Sequence, residues 1–166
     1  MGAAHLGEEA RDALRALGAR GLTLATAESL TGGMIGAAVT SVPGASAVYR
    51  GGVVAYATGV KAGLLGVDPG LLARHGAVHP DVAAAMAEGA RSALAADTGL
   101  AVTGVAGPEP QDGMPVGRVY IAVATTGGRT AGLRLDLDGD RELIRFHTAL
   151  SALSLLTSTI TGEPGK

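Results

Sequence analysis

Apolar residues at Leu6, Ala10, Ala13, Leu14 and Leu17 recur on one helical face, and Gly18 and Gly21 close that helix before a short strand predicted over Leu22 to Ala25. Ala27-Glu28-Ser29-Leu30-Thr31-Gly32-Gly33 then reads as a turn, and Met34 to Val39 as a helix leaving it. After a break at Pro43-Gly44, Gly52 to Ala57 reads as a β-branched strand with Lys61 just past its end. Asp68-Pro69 is a helix start, a capping side chain followed by proline at the first helical position; Pro80 opens a longer helix through Ala95, which Gly99 ends. Leu100 to Val105 is a continuous apolar run of strand length, followed by a loop rich in Gly and Pro from Gly104 to Gly117. Arg118 to Thr126 and Arg129 to Leu137 flank Gly127-Gly128, the two-residue connection of an antiparallel hairpin. Asp138 and Asp140 introduce a final helix whose stripe is Leu143, Phe146, Leu150, Leu153 and Ile160. Strands alternating with helices, plus one hairpin, predict a three-layer α/β/α fold with a mixed β-sheet, expected as a single domain over residues 1–166.

Composition narrows the function. A formal net charge of −2 with no run of Lys or Arg gives no footprint for DNA or RNA, and four aromatic residues offer few stacking platforms. With no Cys there is no disulfide, thiolate metal site or cysteine nucleophile. His5, His75, His79 and His147 fall in no metal-ligand spacing, so no metal is expected. The segment Met1 to Arg20, with Glu8 and Glu9 and no long apolar run, reads as neither a signal peptide nor a membrane span, and the expectation is a cytoplasmic enzyme or binding protein. The 27 glycines call for many tight turns or close backbone approaches.

Lys61 is the only lysine before Lys166, and a lysine can serve as a base where burial lowers its pKa. Read alone, it is equally a surface residue ending a strand. Ser29, in the turn before a helix, and Ser46, in Pro43-Gly44-Ala45-Ser46-Ala47, are both candidate nucleophiles flanked by glycine; either could be only a helix cap. A serine–histidine–aspartate arrangement stays open, although the GxSxG elbow is absent. Thr31-Gly32-Gly33 ahead of a helix is a candidate anion site, and Arg141 and Arg145 could clamp a phosphate or be solvated.

Five segments in order, Ala27 to Gly33, Gly51 to Tyr56 ending at Lys61, His75 to Val78, Met86 to Gly89 and Thr103 to Pro108, resemble the CinA C-terminal family over roughly Leu22 to Ile160. The family includes stand-alone nicotinamide mononucleotide deamidases and C-terminal domains of longer competence-damage-inducible proteins. The resemblance implies hydrolysis of the carboxamide of nicotinamide mononucleotide to nicotinate mononucleotide and ammonia in pyridine-nucleotide salvage, by a homodimer without metal or cofactor. Carried over by motif, Ser46 is the nucleophile and Lys61 its base, Ser29 and Tyr56 complete the site, and Thr31, Gly32, Gly33, Gly104, Gly107 and Arg141 bind substrate. Three departures stand out: Gly44-Ala45-Ser46 where the family often has Gly-Ser-Ser, His79 in place of a capping serine, and the loop Pro108 to Gly113 in place of paired glycines. The competing expectation is a catalytically silent nucleotide-binding or interaction module of the same fold.

Overall fold

A computed structural model describes residues 2–163. Among them, six α-helices enclose an open five-stranded sheet of order β2-β1-β3-β4-β5. The strands are β1 (Leu24–Glu28), β2 (Tyr49–Val54), β3 (Thr98–Gly104), β4 (Arg118–Thr125) and β5 (Thr130–Asp136); the helices are α1 (Gly2–Gly18), α2 (Met34–Thr40), α3 (Thr58–Leu65), α4 (Pro69–His75), α5 (Pro80–Ala93) and α6 (Arg141–Thr161). β1 pairs in parallel with β2 and β3, while β3, β4 and β5 pair antiparallel, giving the expected mixed sheet.

Two cores make the three layers. On one face, α1, α2 and α6 bury Leu17, Ile35, Leu153 and Leu156 against Leu24, Leu100 and Ile121; on the other, α3 and α5 bury Leu65, Val82 and Met86 against Ala25, Ala27, Ala101 and Ala122. The period-2 alternation of β1 sorts its side chains between these cores, Leu24 to the first and Ala25 and Ala27 to the second. The predicted stripe of α1 is buried throughout. α6 is long and apolar enough to cross a membrane by length and composition, but it serves as a core helix, burying Ile144, Ala149, Ala152, Leu153, Leu156 and Ile160. Leu143, placed on the stripe by the sequence, is 43% exposed because the buried face begins one residue later.

Other boundaries also move. The turn predicted from Ala27 is still strand through Glu28, because β1 is paired on both sides. The strand predicted over Gly52 to Ala57 runs instead from Tyr49 to Val54, set by its register with β1. Gly99 does not end a helix but lies in β3, and the hairpin connection is the four residues 126–129, with Gly127 and Gly128 both at positive φ. Lys61 is inside α3, a helix the pattern did not announce: it contains Gly59 and Gly63 and has no side-chain cap.

Several glycines are close approaches. A Cβ on Gly89 of α5 would lie 1.9 Å from the Leu65 carbonyl oxygen at the end of α3, and one on Gly99 would lie 1.9 Å from the Ala87 carbonyl oxygen. Neither backbone can give way without separating the elements. Gly89→Ala is therefore expected to cost about 3 kcal/mol or more in chemical denaturation, at the upper end of overpacking effects.

Candidate active site

The chain crosses from β1 to β2 through α2, and from β2 to β3 through α3, α4 and α5 on the opposite face. The strand order 2-1-3 therefore leaves a crevice at the carboxyl ends of β1 and β3, where the two crossovers part. A cleft of about 310 Å³ opens there, lined by Ser29, Leu30, Tyr56, Thr58, Gly104 to Gly107, Glu109, Gln111 and Arg141.

Ser29 follows the last residue of β1, and its N–H donates to the Val102 carbonyl at 3.2 Å. Lys61 lies one turn into α3 and is 1% exposed. Its Nζ donates to the Ala55 carbonyl at 2.7 Å, to Ser29 Oγ at 3.0 Å and to the Tyr56 carbonyl at 3.4 Å. Among the described residues no carboxylate pairs with it. Burial holds its pKa down to about 8, the charge of Asp112 pulling the other way. The geometry suits both protonation states. The ammonium donates three bonds; the amine can keep its two N–H bonds to the carbonyls and turn its lone pair to the Ser29 hydroxyl.

The shift also bears on stability. Because the lysine binds its proton more tightly unfolded (near 10.5) than folded (about 8), the unfolded chain carries more protons across that interval. This group's unfavourable contribution is thus full below pH 8 and relieved as pH rises toward 10.5.

Tyr56 meets the pair through its carbonyl, while its phenol oxygen accepts from Arg141 Nη2 at 2.9 Å. Arg141, the first residue of α6, also donates from Nη1 to the Gly107 carbonyl at 2.6 Å, so its guanidinium bridges the segments after β2 and β3 across the cleft. Arg145 turns away, donating to the Leu30 and Thr31 carbonyls. Gly107 (φ +87) lines the cleft directly; Gly104 is also required by packing, since a Cβ there would meet the Arg118 carbonyl oxygen at 2.8 Å.

Two site expectations change. Ser46 is not brought to Lys61. It sits in a 3-10 turn (Ala45–Ala47) before β2, exposed, beside a separate hollow lined by Thr40, Val42, Pro43 and Tyr49. Lys61 Nζ is bonded at Ala55, beyond the other end of β2; the strand's six residues separate the two ends by roughly 16 Å. Nor do Thr31, Gly32 and Gly33 line the cleft. The amides that make the start of α2 look like an anion site are already used, since Glu28 accepts from Ile35 N and Gly36 N at 2.9 Å each. Thr31 is fully buried, and among the described residues its hydroxyl has no hydrogen-bond partner.

His79 does cap α5, its Nδ1 accepting from Asp81 N at 3.2 Å, and its ring stacks on His75 at 4.2 Å. Among the described residues no group of three or more His, Asp or Glu side chains converges to hold a metal. Glu28, Glu109 and Gln111 were not singled out from the sequence. Glu109 and Gln111 belong to the Gly- and Pro-rich loop from Gly104 to Gly117, whose length was the available signal; nothing in the pattern marks Glu28 as buried.

Residues 7–160 match the model of the CinA C-terminal domain. The chain is 53% identical over 145 residues to a CinA-like protein of Frankia casuarinae, covering 87% of this chain and 33% of that protein. It is 48% identical over 141 residues to a putative competence-damage inducible protein of Halothermothrix orenii, covering 84% and 34%. The chain thus spans about a third of the length of these relatives. Among solved structures, the competence/damage inducible protein CihA from Agrobacterium tumefaciens superposes with a TM-score of 0.89 at 36% identity, covering 95% of this chain and 96% of that one. A CinA superfamily protein from Klebsiella pneumoniae superposes with a TM-score of 0.90 at 34% identity, covering 95% and 98%.

Proposed function

The chain belongs to the CinA C-terminal domain family, and from that premise we propose that it is an amidohydrolase converting nicotinamide mononucleotide to nicotinate mononucleotide and ammonia, with Ser29 as nucleophile and Lys61 as base. The observation that carries this reading is a buried lysine amine 3.0 Å from a serine hydroxyl at the edge of a cleft. With a pKa of about 8, roughly a tenth of the molecules hold the neutral amine at pH 7, against well under a thousandth for an unperturbed lysine.

In this reading, neutral Lys61 takes the Ser29 proton as Oγ attacks the carboxamide carbon, and backbone N–H groups lining the cleft hold the oxyanion. Protonated Lys61 then gives its proton to the departing nitrogen, which leaves as ammonia. Water, deprotonated by the same amine, cleaves the resulting ester and restores Ser29. Arg141 is the cationic group for the substrate phosphate, and the Tyr56 phenol sets its direction. The protein acts as a cytoplasmic homodimer in pyridine-nucleotide salvage.

Ammonia release from nicotinamide mononucleotide by the purified protein tests the reading. No release by a protein that still binds the nucleotide would leave the silent nucleotide-binding module instead. A pH profile adds a second check. Only the neutral amine accepts the serine proton, so kcat/KM is expected to rise with pH and level off above about 8, the pKa of Lys61. A profile flat from pH 6 to 9 would remove Lys61 as the base.

A further inference from the structure

Glu28 ends β1 immediately before Ser29 and is 2% exposed. The proposed chemistry does not use its side chain. Both carboxylate oxygens accept backbone N–H groups, one from Ile35 and one from Gly36, and among the described residues no cationic side chain is bonded to it. A buried carboxylate without a partner cation is an expensive way to cap a seven-residue helix, since a serine or aspartate just before the helix would do so without crossing the turn. That position holds Gly33, left-handed and without a side-chain cap. The capping oxygen comes instead from the strand end, five residues further back.

The surroundings are built to keep it there. The Tyr49 hydroxyl is hydrogen-bonded to Thr26 Oγ1 at 2.7 Å. Two glycines leave the room this needs: a Cβ on Gly52 would lie 2.6 Å from that hydroxyl, and one on Gly36 would lie 3.0 Å from it and 3.5 Å from Glu28 Oε2. The backbone of Glu28 is tied as well, its carbonyl accepting from Ala55 N at 2.8 Å, and Ala55 is the residue whose own carbonyl takes the Lys61 amine.

We propose that Glu28 is a positioning residue for Ser29: by fastening the start of α2 to the end of β1, its carboxylate takes the slack out of the Ser29–Gly33 turn and holds the hydroxyl against the Lys61 amine. This rests on the reading of Ser29 and Lys61 as the reacting pair. The role differs from fold maintenance because its output is the reactivity of one hydroxyl.

The test is Glu28→Gln, which keeps shape and one acceptor but sets an amide N–H against a backbone N–H. Two rates are read: kcat for ammonia release, and the second-order rate of Ser29 sulfonylation by phenylmethylsulfonyl fluoride, which needs no nucleotide. Both are expected to fall about 30-fold, with KM within about twofold of the parent, as for a displaced reacting group. Glu28→Asp, which keeps the charge but falls one methylene short of the Ile35 and Gly36 amides, should lower both rates in the same direction by about 5-fold and serves if Glu28→Gln does not fold. Rates within twofold of the parent in a folded variant whose Ile35 and Gly36 amides exchange faster would overturn the positioning role. A parent protein with neither sulfonylation nor ammonia release would instead sink the Ser29–Lys61 reading on which it rests.

Discussion

Lys61→Met is expected to remove turnover by at least about 10³-fold while leaving a folded protein as stable as the parent at pH 7. The first half follows from the lysine being the basic side chain bonded to the Ser29 hydroxyl. The second half follows from what the amine costs the fold. A pKa lowered from 10.5 to about 8 by burial corresponds to a few kcal/mol of instability at neutral pH. Methionine fills a similar volume without a charge to desolvate. Against that gain stand the Ala55 and Tyr56 carbonyls, each losing a donor at about 1 kcal/mol. Activity assays with a denaturation curve check both halves. A variant that unfolds would show that the lysine's hydrogen bonds outweigh its desolvation.

Ser29→Ala is expected to lose activity as completely as Lys61→Met, whereas Ser46→Ala keeps it within about threefold. The contrast separates two serines that the family motif alone ranks the other way round. Ser29 Oγ is 3.0 Å from the amine in the cleft that also contains Arg141. Ser46 is exposed at the far end of β2 in a hollow with no lysine, arginine or histidine among its lining residues. Side-by-side kcat values for the two alanine variants check this. Loss of activity in Ser46→Ala with a normal Ser29→Ala would return the nucleophile to Ser46 and require a different arrangement of the chain around Lys61.

Much of the architecture was legible in the sequence because it rests on local signals. The α1 stripe, Asp68-Pro69, Pro80, the paired glycines of the hairpin and Asp140 before α6 each act within a few residues, and the elements they mark are present. The segment around Lys61 was not legible, because α3 has two glycines in eight residues and is held in place by packing against α5 rather than by propensity. Its burial, which gives the lysine its chemistry, is a tertiary fact.

The site was half legible for a related reason. Motif order brought Ser29, Ser46, Tyr56 and Lys61 to notice together, but a strand lying between two residues separates them by its own length. Ser46 precedes β2 and Lys61 follows it, so closeness in sequence across that strand becomes distance in space. Thr31-Gly32-Gly33 looked like an anion site because the first amides of a helix have no partner within it. What sequence could not show is that Glu28, one residue before the serine, reaches across and takes them.

The most direct measurement is mass spectrometry of the protein quenched during turnover of nicotinamide mononucleotide, with peptides mapped for the acyl group. The expected result is the acyl mass on the peptide containing Ser29 and on no other, absent in Lys61→Met. The same mass on the peptide containing Ser46, or turnover with no acylated serine at any quench time, would contradict it.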